Sequence, residues 1–384
     1  MHRRALLQSA VAGAATLLTG RRAFAADPVK IGFMHSFSGY LAPVGVACRD
    51  GFTVGIGEIN DGGGINGRKL EAIFENDESD TSKGVPAAIR LMNNQKVAFF
   101  VGPGRSDVTE ALGPMLTKAQ IPSITLSVVL PTAQDYTFAG SPAVTDEAKL
   151  LIDFVKKQGG KTIAVLSAID LYDKTFGIAA IEEAKRQGIE VVASESYNAV
   201  SDKSFIPQLS RFKAANAEWM LLAGPLSGLI LKQKAEVGYT GKVVGNILFP
   251  AQGLQSLLQI AGPALEGSYF TATQSMVWDT LPKDDPRQVV TTRFREEFNK
   301  RLGRYPEAEK MGYGQGYDAA FMLADALKRA GPDAKGPQLK AAMEQISGLM
   351  GANGAYTFTK DSHASNSGYV IASIKGKSFV LIGG

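Results

Sequence analysis

The chain has 384 residues, of which 45% are hydrophobic and 20% charged. That length fills more than one core, and that composition excludes a disordered tail, a collagen-like repeat and a disulfide-stapled miniprotein. Four of the 41 lysines and arginines (Arg3, Arg4, Arg21 and Arg22) fall in the first 25 residues, which hold no acid. The remainder therefore balances its 37 acidic residues and offers no global attraction for nucleic acid or an anionic membrane.

Residues 1–25 read as an export signal. A basic start leads into a small-residue apolar stretch over 5–18, then into Ala23-Phe24-Ala25, the pattern a signal peptidase cuts. Arg3-Arg4 before Ala-Leu-Leu resembles a twin-arginine signal, and Arg21-Arg22 beside the cut fits that route. The other reading is an uncleaved amphipathic helix. No later stretch reaches the roughly 20 apolar residues of a membrane span. The expectation is a soluble periplasmic protein, cleaved near Ala25.

The early chain alternates apolar runs with amphipathic segments. A strand is predicted over 29–34, followed by the loop Ser36-Phe37-Ser38-Gly39. A helix over 43–60 is closed by Asp61-Gly62-Gly63-Gly64. Next come a strand over 69–74, a helix over 82–94, a strand over 97–101, a helix over 106–118 and a strand over 121–125. Near-continuous apolar strands alternating with helices imply a parallel sheet covered on both faces. The pattern then restarts with helices over 145–158, 174–187, 205–214 and 226–237. Strands over 161–166, 189–193, 218–223 and 242–246 separate them. Two doubly wound units predict two α/β lobes. Helices over 286–302 and 313–330 follow, then short antiparallel strands over 355–359, 369–374 and 377–382.

Few residues carry catalytic chemistry. Beyond the leader there are only His35 and His363, which excludes a histidine-rich metal site, and no Gly-x-Ser-x-Gly elbow is present. His35 ends a strand, where open α/β sheets bind ligands; it is either a ligand contact or a satisfied loop histidine. Cys48 is the sole cysteine, so no intramolecular disulfide forms, and it reads as a packed thiol rather than a nucleophile. The acidic run 75–80 lacks the spacing of a calcium loop and places Asp80 or Thr81 as a helix cap. Gly102-Pro103-Gly104-Arg105-Ser106 is a Gly-rich turn into a helix, suited to a small anion such as a carboxylate. It matches neither the phosphate-binding P-loop nor the dinucleotide fingerprint. Arg105 is either a bidentate carboxylate partner or a surface arginine. Asp170, Tyr172, Pro225 and Phe249 follow strands of the second unit and are expected on its ligand-facing edge.

The segment 61–70, with Ile31-Gly32 to Ser38-Gly39, Val101-Gly102, Ile121-Pro122 and 313–320, resembles the type I periplasmic binding proteins. Within these it is similar to the branched-chain amino-acid-binding receptors of ABC transporters. The resemblance spans nearly the whole mature chain in order. It implies two lobes joined by three crossings near Ala143, 271–276 and 348–354. Lobe one is then 26–143 plus 275–348, and lobe two 144–274 plus 349–384. It also implies a monomer that binds a small molecule without transforming it, needs no cofactor, and is read by an inner-membrane permease.

The resemblance further places the ligand's carboxylate and amino groups at Ser106 and along 125–129, including Thr125 and Ser127. Val129 stands where a threonine is expected, and Ile247, beside Asn246, where an acid is expected. Arg105 occupies one position of a cysteine pair found in some relatives. An unpaired buried ammonium costs several kcal/mol, so these losses point to an acid without an α-amino group. Tyr172 corresponds to an aromatic that covers the ligand. Phe37, Tyr40 and Phe249 nearby favour an aromatic or apolar organic acid. The expected contacts are Ser38, Tyr40, Arg105, Ser106, Thr125, Ser127, Val129, Tyr172, Pro225, Asn246 and Phe249. The alternatives are a branched-chain amino acid or a small amide in the same fold, a periplasmic sensor, and an exported hydrolase using Ser106 or Ser127.

Overall fold

A computed structural model describes residues 27–127, 135–306, 312–364 and 368–383. The leader and Val129 lie outside the described residues. The first apolar runs form β1 (Val29–His35), β2 (Leu70–Asn76), β3 (Phe99–Val101), β4 (Ser123–Thr125) and β5 (Thr137–Ala139). They pair in parallel in the order β2-β1-β3-β4-β5, with Ile31 opposite Ala72 on one side and Phe99 on the other. Successive residues face opposite layers, as strand geometry demands. Phe33 joins Phe52 and Leu323 in one core, whereas Met34 joins Leu91 and Leu112 in the other.

The second lobe holds β6 (Thr162–Ala168), β7 (Glu190–Tyr197), β8 (Trp219–Ala223), β9 (Lys242–Gly245) and β10 (Ser268–Ala272). A small pair, β11 (Leu349–Met350) and β12 (Ala355–Tyr356), stands apart from both large sheets. The chain ends in the hairpin β13 (Val370–Lys375) and β14 (Ser378–Gly383), which adds antiparallel strands to β10. The seven-stranded order is β14-β13-β10-β9-β8-β6-β7. Strand order reverses around β1 in one lobe and around β6 in the other. Loops diverge there, which opens a crevice at the carboxyl ends of the strands.

Helices Ala42–Asp61 and Tyr313–Ala330 pack against each other at very close range. A Cβ on Gly51 would stand 1.9 Å from the Tyr313 carbonyl oxygen, and one on Gly316 1.9 Å from that of Cys48. Cys48 is fully buried in this contact, and burial pushes its thiol pKa up, so it is a packed thiol.

Several boundaries differ from the sequence expectation. The helix expected to start at 174 starts at Leu171, because the Asp170 carboxylate accepts the Asp173 N–H at 3.3 Å and caps it. Asp80 caps the helix Thr81–Ile89, accepting the Ser82 N–H at 2.8 Å. Strands β5 and β10 and the helices Leu254–Ala261 and Gly336–Met343 escape the sequence reading. The third crossing, expected at 348–354, lies later. Tyr356 and Phe358 pack into the first lobe's core, and the His363 ring stacks on Phe138 with centroids 4.0 Å apart. The chain joins the second sheet only at Val370. Asp318 holds this stretch to lobe one, accepting the Ala352 N–H at 2.6 Å, the Asn353 N–H at 2.9 Å and the Tyr356 hydroxyl at 2.7 Å.

Candidate ligand-binding site

The carboxyl ends of the two parallel sheets face each other across a cleft of about 1010 Å³, open to solvent. Lobe one contributes His35 from the end of β1, the turn Gly104–Ser106 after β3, and Leu126 and Ser127 after β4. Lobe two contributes Asp170 to Tyr172 after β6, Pro225 after β8, and Ile247 and Leu248 after β9.

His35 Nδ1 accepts the Ser36 N–H at 2.8 Å, so Nε2 carries the proton of the neutral ring. Burial lowers its pKa to about 4, which keeps it uncharged near neutrality. Ser106 opens the helix Ser106–Ala119, and Ser106 and Asp107 of its first turn line the cleft. The Ser127 hydroxyl lies 2.8 Å from Thr125 Oγ1 and 2.9 Å from Thr109 Oγ1. Thr125 is fully buried behind it and supports Ser127 instead of reaching the cleft.

Arg105 lines the cleft but is not a free carboxylate partner. Its Nε donates to Asp107 Oδ1 at 3.0 Å, and its Nη1 donates to the Tyr40 hydroxyl at 2.7 Å and the Ser79 carbonyl at 3.1 Å. The guanidinium therefore neutralises Asp107 and fixes Tyr40 at the rim. It also holds the Asp107 carboxyl below the usual carboxylate range, against the opposing effect of burial.

Of the expected contacts, Tyr40, Arg105, Ser106, Ser127, Tyr172 and Pro225 line the cleft. Ser38 does not: its hydroxyl accepts from Asn76 Nδ2, at the end of β2, at 3.0 Å. Asn246 is buried, donating to Asp173 Oδ1 at 2.6 Å and accepting the Gly224 N–H at 3.2 Å, so it shapes the loop after β9. Phe249 is a core residue stacked on Phe270, with ring centroids 5.1 Å apart. Phe37 packs near Phe33 and Phe74, away from the cleft. The aromatic wall thus reduces to Tyr40, Tyr172 and the unanticipated Tyr369, while Leu41, Val44, Leu126, Leu171, Ile247 and Leu248 supply an aliphatic surface. Sequence reasoning also missed Gln315 and Asn353 from lobe one and Thr273 from the second crossing, all of which line the cleft.

Behind the lobe-two wall sits Glu147, a buried carboxylate with three donors. Oε1 accepts the Ile247 N–H at 2.7 Å and the Thr271 hydroxyl at 2.5 Å, and Oε2 accepts the Tyr172 hydroxyl at 2.5 Å. Among the described residues, no group of three or more His, Cys, Asp or Glu is placed to hold a metal ion. No described helix is long and apolar enough to cross a membrane.

A two-lobed crevice at paired switch points is the geometry of a solute trap, and the periplasmic binding protein family pattern matches residues 28–378. The chain belongs to that family. This binding protein is 28% identical over 266 residues to the leucine-, isoleucine-, valine-, threonine- and alanine-binding protein of Pseudomonas aeruginosa, covering 67% of this chain and 70% of the relative. It is 28% identical over 362 residues to a Leu/Ile/Val-binding protein homolog of Brucella suis, covering 89% of each. Among solved structures, the branched-chain amino acid transporter substrate-binding protein of Streptococcus pneumoniae in complex with isoleucine superposes with a TM-score of 0.77. That pair is 23% identical and covers 93% of this chain and all of the other, which establishes the shared fold.

Proposed function

We propose that this binding protein is the exported solute receptor of an ABC importer and captures a branched-chain amino acid between its lobes. The observation that carries the ligand class is the wall: six aliphatic side chains face a cleft that also holds Asp170. The amine-free, aromatic acid favoured by the sequence rested on the absence of ammonium partners at Val129 and Ile247. Asp170 supplies a carboxylate acceptor from a different loop, and Phe37 and Phe249 lie elsewhere. The relatives named for leucine, isoleucine and valine support the same reading.

In this reading the ligand's carboxylate meets the Ser106 and Ser127 hydroxyls and the first turn of the helix Ser106–Ala119. Its ammonium meets Asp170, and its side chain meets Leu126, Ile247 and Leu248. Contacts come from both lobes, so binding favours closure by its differential affinity for the closed form. The closed shape is what an inner-membrane permease recognises, and no bond in the ligand is broken.

Thermal unfolding with leucine, isoleucine, valine, 4-methylpentanoate and benzoate tests this. At ligand near 100 times Kd, binding stabilises by ~2.7 kcal/mol. Stabilisation by the amino acids supports the reading; stabilisation by the amine-free acids alone overturns it.

A further inference from the structure

Tyr172 and Ile247 reach the cleft from separate elements, yet both are tied to one carboxylate. Glu147 lies in the first turn of the helix Val144–Lys157, and it joins that helix to the helix Leu171–Arg186, the loop after β9, and β10 through Thr271. Its two oxygens are not equivalent. Oε1 accepts two donors, one of them a backbone N–H that cannot rotate away, whereas among the described residues Oε2 accepts only the Tyr172 hydroxyl. A proton taken up by Glu147 therefore goes to Oε2. There it donates to Tyr172 Oη and turns the phenol hydrogen outward.

We propose that Glu147 is a positioning residue whose ionisation sets whether Tyr172 offers a lone pair or a hydrogen to the ligand, and so couples ligand affinity to pH. Ionised Glu147 holds the phenol hydrogen and leaves the Tyr172 oxygen to accept from an ammonium. Protonated Glu147 releases that hydrogen, which disfavours an ammonium and favours a carboxylate. The direction for amino acids rests on the ligand class proposed above.

Among the described residues, the titratable groups around Glu147 are Tyr172 and Asp173 on the neighbouring helix and Tyr369 before β13, with Asp170 beyond Asp173. None is a cation. Burial pushes the Glu147 pKa up to about 7, against the pull of its three donors. The Asp173 carboxyl is also raised, by burial first and then by Asp170, so it is the group to separate from Glu147. His35 titrates near 4 and stays silent above that.

Calorimetric Kd values for leucine between about pH 5.5 and about pH 8.5, in wild type, Glu147→Gln, Tyr172→Phe and Asp173→Asn, test the assignment. Glutamine keeps two acceptor positions on its oxygen and donates to Tyr172 from its nitrogen, so it copies the protonated state. Wild type should weaken about tenfold on acidification, the value of one hydrogen bond to a charged group. Glu147→Gln should show the weak, acid-side Kd at every pH, Tyr172→Phe should be flat, and Asp173→Asn should keep the wild-type slope. Identical slopes in wild type and Glu147→Gln, or a slope lost only in Asp173→Asn, overturn it. If leucine fails to bind and 4-methylpentanoate binds, the ligand reading fails. The assignment then stands only if wild type tightens on acidification and Glu147→Gln is flat, and it falls if the two slopes agree.

Discussion

The Gln315 side-chain amide, in lobe one, donates to the Ser141 hydroxyl at 2.7 Å, just where the chain leaves for lobe two. The same nitrogen donates to the Leu126 carbonyl at 3.1 Å. One side chain thus fastens the cleft floor to the first crossing. A second tie fastens the second crossing to lobe one: the Ser275 hydroxyl donates to Asn353 Oδ1 at 2.6 Å. Gln315, Asn353 and Thr273 also line the cleft, so a ligand touches residues that set the angle between the lobes.

Replacing Gln315 with alanine removes both bonds and frees the first crossing. Each net hydrogen bond is worth ~1 kcal/mol, so losing both should weaken affinity for the bound amino acid by up to about 30-fold. The fold, held by the separate cores of each lobe, should unfold within a few degrees of wild type. Calorimetry and thermal unfolding measure the two effects separately. An unchanged Kd would show that the tie does not bias closure.

Asp170 carries a selectivity prediction. It caps its helix through the Asp173 N–H, a bond that asparagine preserves. Asp170→Asn should therefore leave stability nearly unchanged while removing the charge that meets an ammonium. Truncating one partner of such a pair costs ~2–5 kcal/mol, so leucine should bind at least ~30-fold more weakly. Binding of 4-methylpentanoate should not weaken. Equal loss for both ligands would place the amine elsewhere.

The parallel strands of both sheets were largely legible because they are short apolar runs between helices. Strand β5 was not, since Thr137–Ala139 has one large apolar residue at a sheet edge. Tyr172 lines the cleft, although its helix begins earlier than periodicity suggests. The aliphatic wall was hidden, because Leu41, Val44 and Leu126 look like any core residue until the second lobe leaves them facing a gap. Glu147 was hidden for a stronger reason. In sequence it is an acid in a helix's first turn, an ordinary exposed position. Its burial depends on Thr271, Ile247 and Tyr172, and no local pattern reports partners that distant.

The close helix crossing in lobe one predicts a sharp steric penalty. Gly316 faces the Cys48 carbonyl, and a Cβ at 1.9 Å has no room beside rigid backbone. Gly316→Ala gains helix propensity of ~1 kcal/mol, but overpacking costs ~1–3 kcal/mol or more and should win. Urea denaturation should show net destabilisation. A more stable variant would mean that the helices separate at no cost.

Asp318 gives a pH-dependent prediction with a definite sign. It is buried with three donors, and burial raises its pKa to about 7. In the unfolded chain the same carboxyl titrates near ~3.9. Between about 4 and about 7 the folded protein keeps a proton that the unfolded chain has released. Stability from this residue is therefore full below the unfolded pKa and declines as pH rises, by up to ~1.4 kcal/mol per pH unit, levelling off above about 7. An asparagine side chain has no proton to lose, so wild type minus Asp318→Asn isolates the effect. Glu147, with a similar raised pKa, and His35, with the opposite shift, are present in both proteins and cancel. Chemical denaturation of the two proteins should show the wild-type advantage shrinking from about pH 4 to about pH 7. An advantage that grows over that range would mean that folded Asp318 is already ionised, its three donors outweighing burial.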